Sequence, residues 1–222
     1  MNLTLFDLDG TLIPVDSDHS FGQFMVEVGW VDGEVWGARN DEFFAQYNAG
    51  MLDLPAYVEF ATSAFRSRPI EEALAMRERF MAEVMQPALR AEARALVEKH
   101  RAAGDLIALV TATNEFVTTP IAAAFGIEHL IAVQLERDAQ GRYTGAIHGV
   151  PSFREGKIAR VESWLQSLGA QSAGFERITF YSDSTNDLPL LERVSHPVAT
   201  NPSPALAQIA SERGWPQIQL FA

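Results

Sequence analysis

A chain of 222 residues, 47% of them hydrophobic, is long enough to bury one substantial core and a smaller added unit, and its 29 acidic against 17 basic side chains leave a formal net charge of −12. That charge repels nucleic-acid backbones and anionic membrane surfaces, so neither is expected as a partner, whereas a small phosphorylated metabolite needs only local positive charge. With no cysteine there is no disulfide framework, thiolate zinc site or cysteine nucleophile, which leaves serine, threonine or carboxylate chemistry.

In chain order, Leu3 to Leu8 reads as a short buried strand and Asp9-Gly10-Thr11 as the turn after it. The start Met1-Asn2-Leu3-Thr4 lacks a basic segment, Asp7 and Asp9 interrupt the apolar run, and no stretch reaches membrane length, so a cytoplasmic protein is expected. From Asp16 to about His100 the pattern is helical throughout: Phe21, Phe24, Met25 and Val28 share one face, as do Tyr57, Phe60, Ala61, Ala64 and Phe65. Breaks at Gly29 to Gly33, Asn48 to Gly50 and Ser67 to Pro69 divide this block into three or four helices. After Pro87 another amphipathic helix, with Leu89, Ala93, Leu96 and Val97 on one face, leads to Ala103-Gly104-Asp105.

Strands and helices then alternate. Leu106 to Thr111 reads as a strand, Asn114 to Phe125 as a helix, Leu130 to Leu135 as a strand, and Gln134 to Val150 as a hairpin projecting from the sheet, open to a structural or a self-association role. Arg154 to Leu168 reads as a helix, Arg177 to Ser182 as a strand, Asn186 to Glu192 as a short helix, His196 to Thr200 as a strand and Ser203 to Arg213 as a final helix. Such alternation implies an α/β fold, a three-layer Rossmann-like parallel sheet, here with an all-helical insertion. The expected organisation is a core of residues 1–15 and 88–222 with an inserted helical cap at 16–87.

Open α/β sheets bind ligands beyond the carboxyl ends of their strands. Asp7 and Asp9 follow the first strand; Thr111, Ala112, Thr113 and Asn114 follow the second; Ser182, Asp183, Ser184, Asn186 and Asp187 follow Ile178 to Tyr181; and Lys157 near its helix start reaches the same edge. Carboxylates converging on one lysine repel each other unless a cation sits among them, and few hard oxygen ligands suggest Mg²⁺. A carboxylate beside Mg²⁺ can attack phosphorus to give an acyl phosphate. Taken singly, Thr111 is also an ordinary strand-end residue, Lys157 a solvated helix lysine, and Asn186 and Asp187 helix caps. The five histidines are too dispersed for a histidine metal site or a Ser-His-Asp triad.

These four segments resemble, in order, the four motifs of the haloacid dehalogenase superfamily: Asp7-Leu8-Asp9-Gly10-Thr11, then Thr111, then Lys157, then Asp183-Ser184-Thr185-Asn186-Asp187. The helical insertion resembles the cap of its phosphoserine-phosphatase-like branch, subfamily IB. The resemblance implies a Mg²⁺-dependent phosphatase acting on a small phosphomonoester through an aspartyl-phosphate intermediate. It makes Asp7 the nucleophile and Asp9 the general acid and base, with Mg²⁺ held by Asp7, the backbone carbonyl of Asp9 and Asp183, and with Asp187 steadying the metal's water shell. Leu8, Asp9, Thr111, Ala112, Lys157 and Asn186 would surround the phosphate, Lys157 also offsetting the charge of Asp7.

Asp16, Asp18 and His19, where the insertion leaves the active edge, are expected to meet substrate or to form a polar connector with a helix cap. Phe21, Phe24, Phe43, Phe44, Phe60 and Phe65 are expected in the core of the helical block by their spacing. The branch's serine-specific enzymes place a glutamate after the first motif and an arginine deeper in the cap; Asp16 and Asp18 stand in its place here, and only Arg66 and Arg68 follow Glu59 to Thr62. Phosphoserine and histidinol phosphate are therefore the expected substrates to compare, amino-alcohol phosphates suiting the acids. The alternatives are a phosphate-accepting signalling domain, which lacks an acid at the position of Asp9, and a non-catalytic protein that binds a phosphorylated ligand.

Overall fold

The computed structural model describes residues 1–221. In chain order its elements are β1 (Leu3–Phe6), α1 (Ser17–Glu27), α2 (Ala38–Asn48), α3 (Leu54–Arg66), α4 (Ile70–Phe80), α5 (Gln86–Ala88), α6 (Ala91–Ala102), β2 (Leu106–Asn114), α7 (Glu115–Ala124), β3 (His129–Val133), β4 (Leu135–Arg137), β5 (Tyr143–Ile147), α8 (Glu155–Ser167), β6 (Ile178–Ser182), α9 (Leu188–Leu191), β7 (His196–Thr200), α10 (Pro204–Arg213) and β8 (Gln217–Ile218). Six strands form one sheet in the order β3-β2-β1-β6-β7-β8, and every pairing in it is parallel. Central β1 pairs on both edges, Leu3 with Leu106 and Ile178, Phe6 with Leu109 and Tyr181. The acids that follow it therefore emerge between the ends of β2 and β6.

Side chains alternate across a strand, and β1 divides accordingly. Leu3 and Leu5 enter a core with Val161 and Leu165 of α8, Leu190 and Leu191 of α9, and Leu206 and Ala210 of α10. Phe6 and Leu8 enter the opposite core, which runs without a break into α1, α3, α4 and α7 through Phe21, Phe24, Phe65, Phe80 and Phe116. Phe80 meets Phe21 edge-on at 5.0 Å and Phe24 at a tilt at 5.7 Å, while Phe65 stacks on Phe116 at 4.3 Å. The inserted helices are thus welded to the sheet by one apolar mass on that face. No helix among the described residues is long and apolar enough to cross a membrane.

Several boundaries differ from the sequence reading for identifiable reasons. β1 ends at Phe6, because the backbone turns as Thr11, Leu12 and Ile13 all donate to the Leu8 carbonyl. β2 runs past Thr111 to Asn114, three residues further than its apolar run. α6 starts at Ala91, after an extended Arg90, so Leu89 precedes it. The hairpin of β4 and β5 does not project: Tyr143 packs edge-on against Phe65 at 5.5 Å and Phe116 at 5.8 Å, and Arg66 donates to the Thr144 carbonyl, which seats β5 against α3. Alternation identified the hairpin correctly and could not say what covers it.

Candidate active site

The turn after β1 brings Asp7 to the carboxyl edge of the sheet, where it is only 6% exposed. Its Oδ1 accepts from Lys157 Nζ at 2.8 Å. Lys157, 1% exposed, also holds both oxygens of Asp187 at 2.7 and 2.8 Å. Asp187 in turn accepts from Ser182 Oγ at 2.8 Å, so this acid at the start of α9 spends its carboxylate on Lys157 and Ser182 and makes no side-chain helix cap. Hydroxyls tighten the loop around it: the Ser184 amide donates to Ser182 Oγ and the Asn186 amide to Ser184 Oγ, each at 3.2 Å.

Asp183 faces Asp7 across a single hydroxyl. Thr11 Oγ1 lies 3.4 Å from both Asp7 Oδ2 and Asp183 Oδ1. Gly10 makes this approach possible, since it adopts a φ of +72° and a Cβ there would fall 2.4 Å from Asp183 Oδ2. Burial, opposed by Lys157 and reinforced by Asp187 and Asp9, pushes the Asp7 carboxyl up to about 7. Burial and then repulsion from Asp7 and Asp187 push Asp183 well above the ordinary carboxylate range. Lys157 loses by burial but gains more from Asp187 and Asp7, and its pKa is raised. One lysine therefore holds two of the three acids, Asp7 and Asp187. Among the described residues no three His, Cys, Asp or Glu side chains form a metal cage of their own. Two facing carboxylates leave the remaining positions to carbonyl oxygen and water, a donor set that fits Mg²⁺ and does not fit a metal needing a full protein cage.

Asp9, half-buried, points the other way, into the space under the inserted helices. Its Oδ1 accepts from the Ser17 amide at 2.6 Å, at the N-terminus of α1, and its Oδ2 from Thr113 Oγ1 at 2.9 Å and Thr111 Oγ1 at 3.5 Å. Burial, with the Asp16 charge beside it, pushes Asp9 up to about 7 despite those donors. Thr111 is fully buried and also accepts from the Thr113 amide at 3.1 Å. Asn186 donates from Nδ2 to the Tyr47 carbonyl at 3.3 Å.

Above Asp9 lies a cavity lined by Asp9, Asp16, Asp18, His19, Asn40, Phe43, Phe44, Tyr47, Leu52, Leu54, Tyr57, Ala112 and Thr113. Asp16 caps α1 by accepting from the His19 amide at 2.8 Å while still lining the cavity, so connector and cavity wall are one residue. Asp18 is buried against Asn114, whose Nδ2 donates to it at 3.2 Å while the Asn114 Oδ1 caps α7. Burial raises Asp16 to about 6 and Asp18 to about 7. His19 bonds Asp41 at 2.8 Å and stacks on Phe44 at 4.3 Å. Phe43 is buried against Tyr57 and Phe60 as its helical spacing predicts, and together with half-buried Phe44 it also lines this cavity. Arg66 and Arg68 are engaged elsewhere: Arg66 with Glu59 and the hairpin, Arg68 over Trp30 at 4.4 Å and beside Glu72.

Thr113 stands at the expected edge, where the sequence reading assigned it no separate role; two residues past Thr111 on a β2 that continues to Asn114, it shares that residue's face and reaches Asp9. Asn201, just past β7, is a site residue that escaped the sequence reading. Its Nδ2 donates to the Gly10 and Thr11 carbonyls at 2.8 and 3.2 Å and its Oδ1 accepts from the Leu220 amide at 2.6 Å, which props the acid turn from behind.

The family model for haloacid dehalogenase-like hydrolases matches residues 4–192 of the chain. A histidinol-phosphatase of Neisseria meningitidis serogroup C (strain 8013) is 43% identical over 215 residues, 97% of each chain. A crystal structure of a protein of unknown function from Bordetella pertussis Tohama I superposes with a TM-score of 0.94 at 49% identity, covering 99% of each chain. A substrate-bound phosphoserine phosphatase has a TM-score of 0.68 at 18% identity, over 97% of this chain and 91% of that one, which is a likeness of fold.

Proposed function

The chain belongs to the haloacid dehalogenase-like hydrolase family, and within it we propose a Mg²⁺-dependent phosphatase that hydrolyses histidinol phosphate, or a close amino-alcohol phosphate, through an aspartyl-phosphate on Asp7. The observation that carries the substrate is the cavity wall: it presents Asp9, Asp16 and Asp18 with the rings of Phe43, Phe44, Tyr47 and Tyr57, and no lysine or arginine. Acids and aromatic faces suit an ammonium or imidazolium group. Phosphoserine would bring a carboxylate against three acids with no lysine or arginine to receive it, and His19 in that wall is already bonded to Asp41. The relative named for histidinol phosphate matches nearly the whole chain, which supports the same reading.

A carboxylate oxygen of Asp7 forms a bond to phosphorus as the bond from phosphorus to the leaving oxygen breaks. Asp9, whose carboxyl burial raises to about 7, gives its proton to that oxygen, and the alcohol departs into the cavity. Water then gives a proton to Asp9 while its oxygen bonds phosphorus, and the bond to Asp7 breaks to return the carboxylate. Lys157 keeps Asp7 oriented and offsets phosphoryl charge; Thr111 and the amides of Leu8 and Ala112 contribute hydrogen bonds to the phosphate. Asp7, Asp183 and the Asp9 carbonyl would hold Mg²⁺, which when bound supplies positive charge for the phosphoryl oxygens.

In the presence of Mg²⁺, release of inorganic phosphate from histidinol phosphate should exceed that from phosphoserine by on the order of 10²-fold in kcat/KM, the cost of an unpaired like charge. A preference for phosphoserine would contradict the cavity argument, and no phosphate release from any ester would favour a binding protein.

The acid cluster also predicts how stability depends on pH. Because Asp7, Asp9 and Asp18 rise to about 7 on folding from an unfolded value of 3.8, the folded state binds more protons than the unfolded chain between those limits. Stability without a divalent cation is therefore greatest below the unfolded pKa and falls as pH rises through about 7. Added Mg²⁺ should raise the melting temperature more at about pH 8 than at about pH 5, since only ionised carboxylates repay the cation. Equal shifts at both pH values would contradict cation binding at this cluster.

A further inference from the structure

We propose that Arg154 is a positioning residue that pins the wall of the leaving-group cavity to the turn preceding Lys157, a role that rests on the reading of the cavity given above. The turn runs from Phe153 to Gly156, whose amide donates to the Phe153 carbonyl at 2.9 Å. Arg154 occupies its first central position at φ 51°, ψ −125°. That is the geometry of a type II′ turn, where glycine is the usual residue because a Cβ is strained there. The turn itself is tight: a Cβ on Gly156 would lie 2.1 Å from the Pro151 carbonyl oxygen. Glycine thus stands at 156, where space demands it, and arginine at 154, where backbone preference opposes it. Asn201 is the other non-glycine residue with positive φ among those described, and asparagine adopts that region readily.

What the arginine gains is a contact across to the inserted helices. Its guanidinium lies 4.8 Å over the Phe153 ring and donates to the Gly50 carbonyl. Gly50 follows α2, whose last turn bears Tyr47, in the loop that leads to Leu52, and both side chains are in the cavity wall. The same stretch is held a second time where Asn186 donates to the Tyr47 carbonyl at 3.3 Å. The segment before the lysine helix and the loop that bears Asp187 therefore grip one stretch of the cavity wall. A strained backbone kept for one side-chain contact marks a position where the contact matters to function. If Arg154 were only surface packing, glycine would satisfy the turn at lower cost.

The two variants Arg154→Ala and Arg154→Gly both remove the contact, and only the second relieves the backbone. In the substrate-free protein, hydrogen exchange at the Gly50 and Met51 amides, which close the loop onto Tyr47 and Gln46, should accelerate by at least about 10-fold in both variants with β2 unchanged. Unchanged exchange would overturn the proposal whatever the substrate proves to be, whereas failure of the wild-type protein to hydrolyse histidinol phosphate would overturn the functional reading alone. With Mg²⁺, kcat/KM for histidinol phosphate should fall by at least about 10-fold, chiefly through KM, while turnover of acetyl phosphate, whose leaving group is too small to reach this wall, stays within about 2-fold. Equal losses on both substrates would overturn the positioning role. The glycine variant should melt above the alanine variant, and the reverse order would overturn the strained turn.

Discussion

Asp7→Asn is expected to lower phosphatase turnover by roughly 10⁴-fold or more, the scale on which loss of a nucleophile is felt, while the protein folds as before. The amide oxygen is a poor nucleophile toward phosphorus and cannot form the acyl phosphate. Folding should survive because the charged form of Asp7 is already disfavoured by burial. Lys157 keeps both oxygens of Asp187 at 2.7 and 2.8 Å when Asp7 is neutral. One fewer carboxylate also repels Asp183, so the melting temperature without Mg²⁺ should hold or rise. Retained turnover, measured as phosphate release, would remove Asp7 from the role of nucleophile.

Asp9→Asn should cost about 10²- to 10⁴-fold, the usual range for general acid and base catalysis. The size of the loss should depend on the leaving group. An alkyl alcohol such as histidinol leaves poorly without a proton, whereas an aryl phosphate releases a phenolate that needs little help. The variant should therefore lose more on histidinol phosphate than on an aryl phosphate in its first chemical step, read by single-turnover kinetics. Its carboxylate now accepts from the Ser17 amide at 2.6 Å and Thr113 at 2.9 Å. An asparagine turns its oxygen to one donor and sets its NH₂ against the other, so a small loss of stability accompanies the catalytic one. Equal single-turnover losses on both esters would refute proton donation by Asp9.

The ease with which each residue is read from the sequence follows its physics. Asp7, Asp183 and Asp187 stand out because acids at the ends of apolar strands are costly, and parallel topology forces those ends to one edge. Lys157 becomes legible only with them, since a helix lysine alone is ordinary. Thr113 is legible as an edge residue, but its role beside Thr111 is not, because the apolar run ends before β2 does and the shared face of the two threonines depends on the strand continuing to Asn114. Phe43 and Phe44 show the helical spacing of core rings, and periodicity reports a face without saying whether a neighbour or a cavity lies against it. Asn201 and Arg154 act on backbone carbonyls far away in sequence, at Gly10 and Gly50, and no local pattern encodes such a partner. The seating of the hairpin against α3 was invisible for the same reason, because Tyr143 finds Phe65 and Phe116 only once the chain has folded.

The most direct measurement is mass spectrometry of the protein quenched during turnover of histidinol phosphate with Mg²⁺. One added phosphoryl group on the peptide that contains Asp7, lost on alkaline hydroxylamine treatment and missing in Asp7→Asn, is the expected result. Product formation with no phosphoryl group on that peptide at any quench time, or with one on a different peptide, would contradict the covalent role of Asp7.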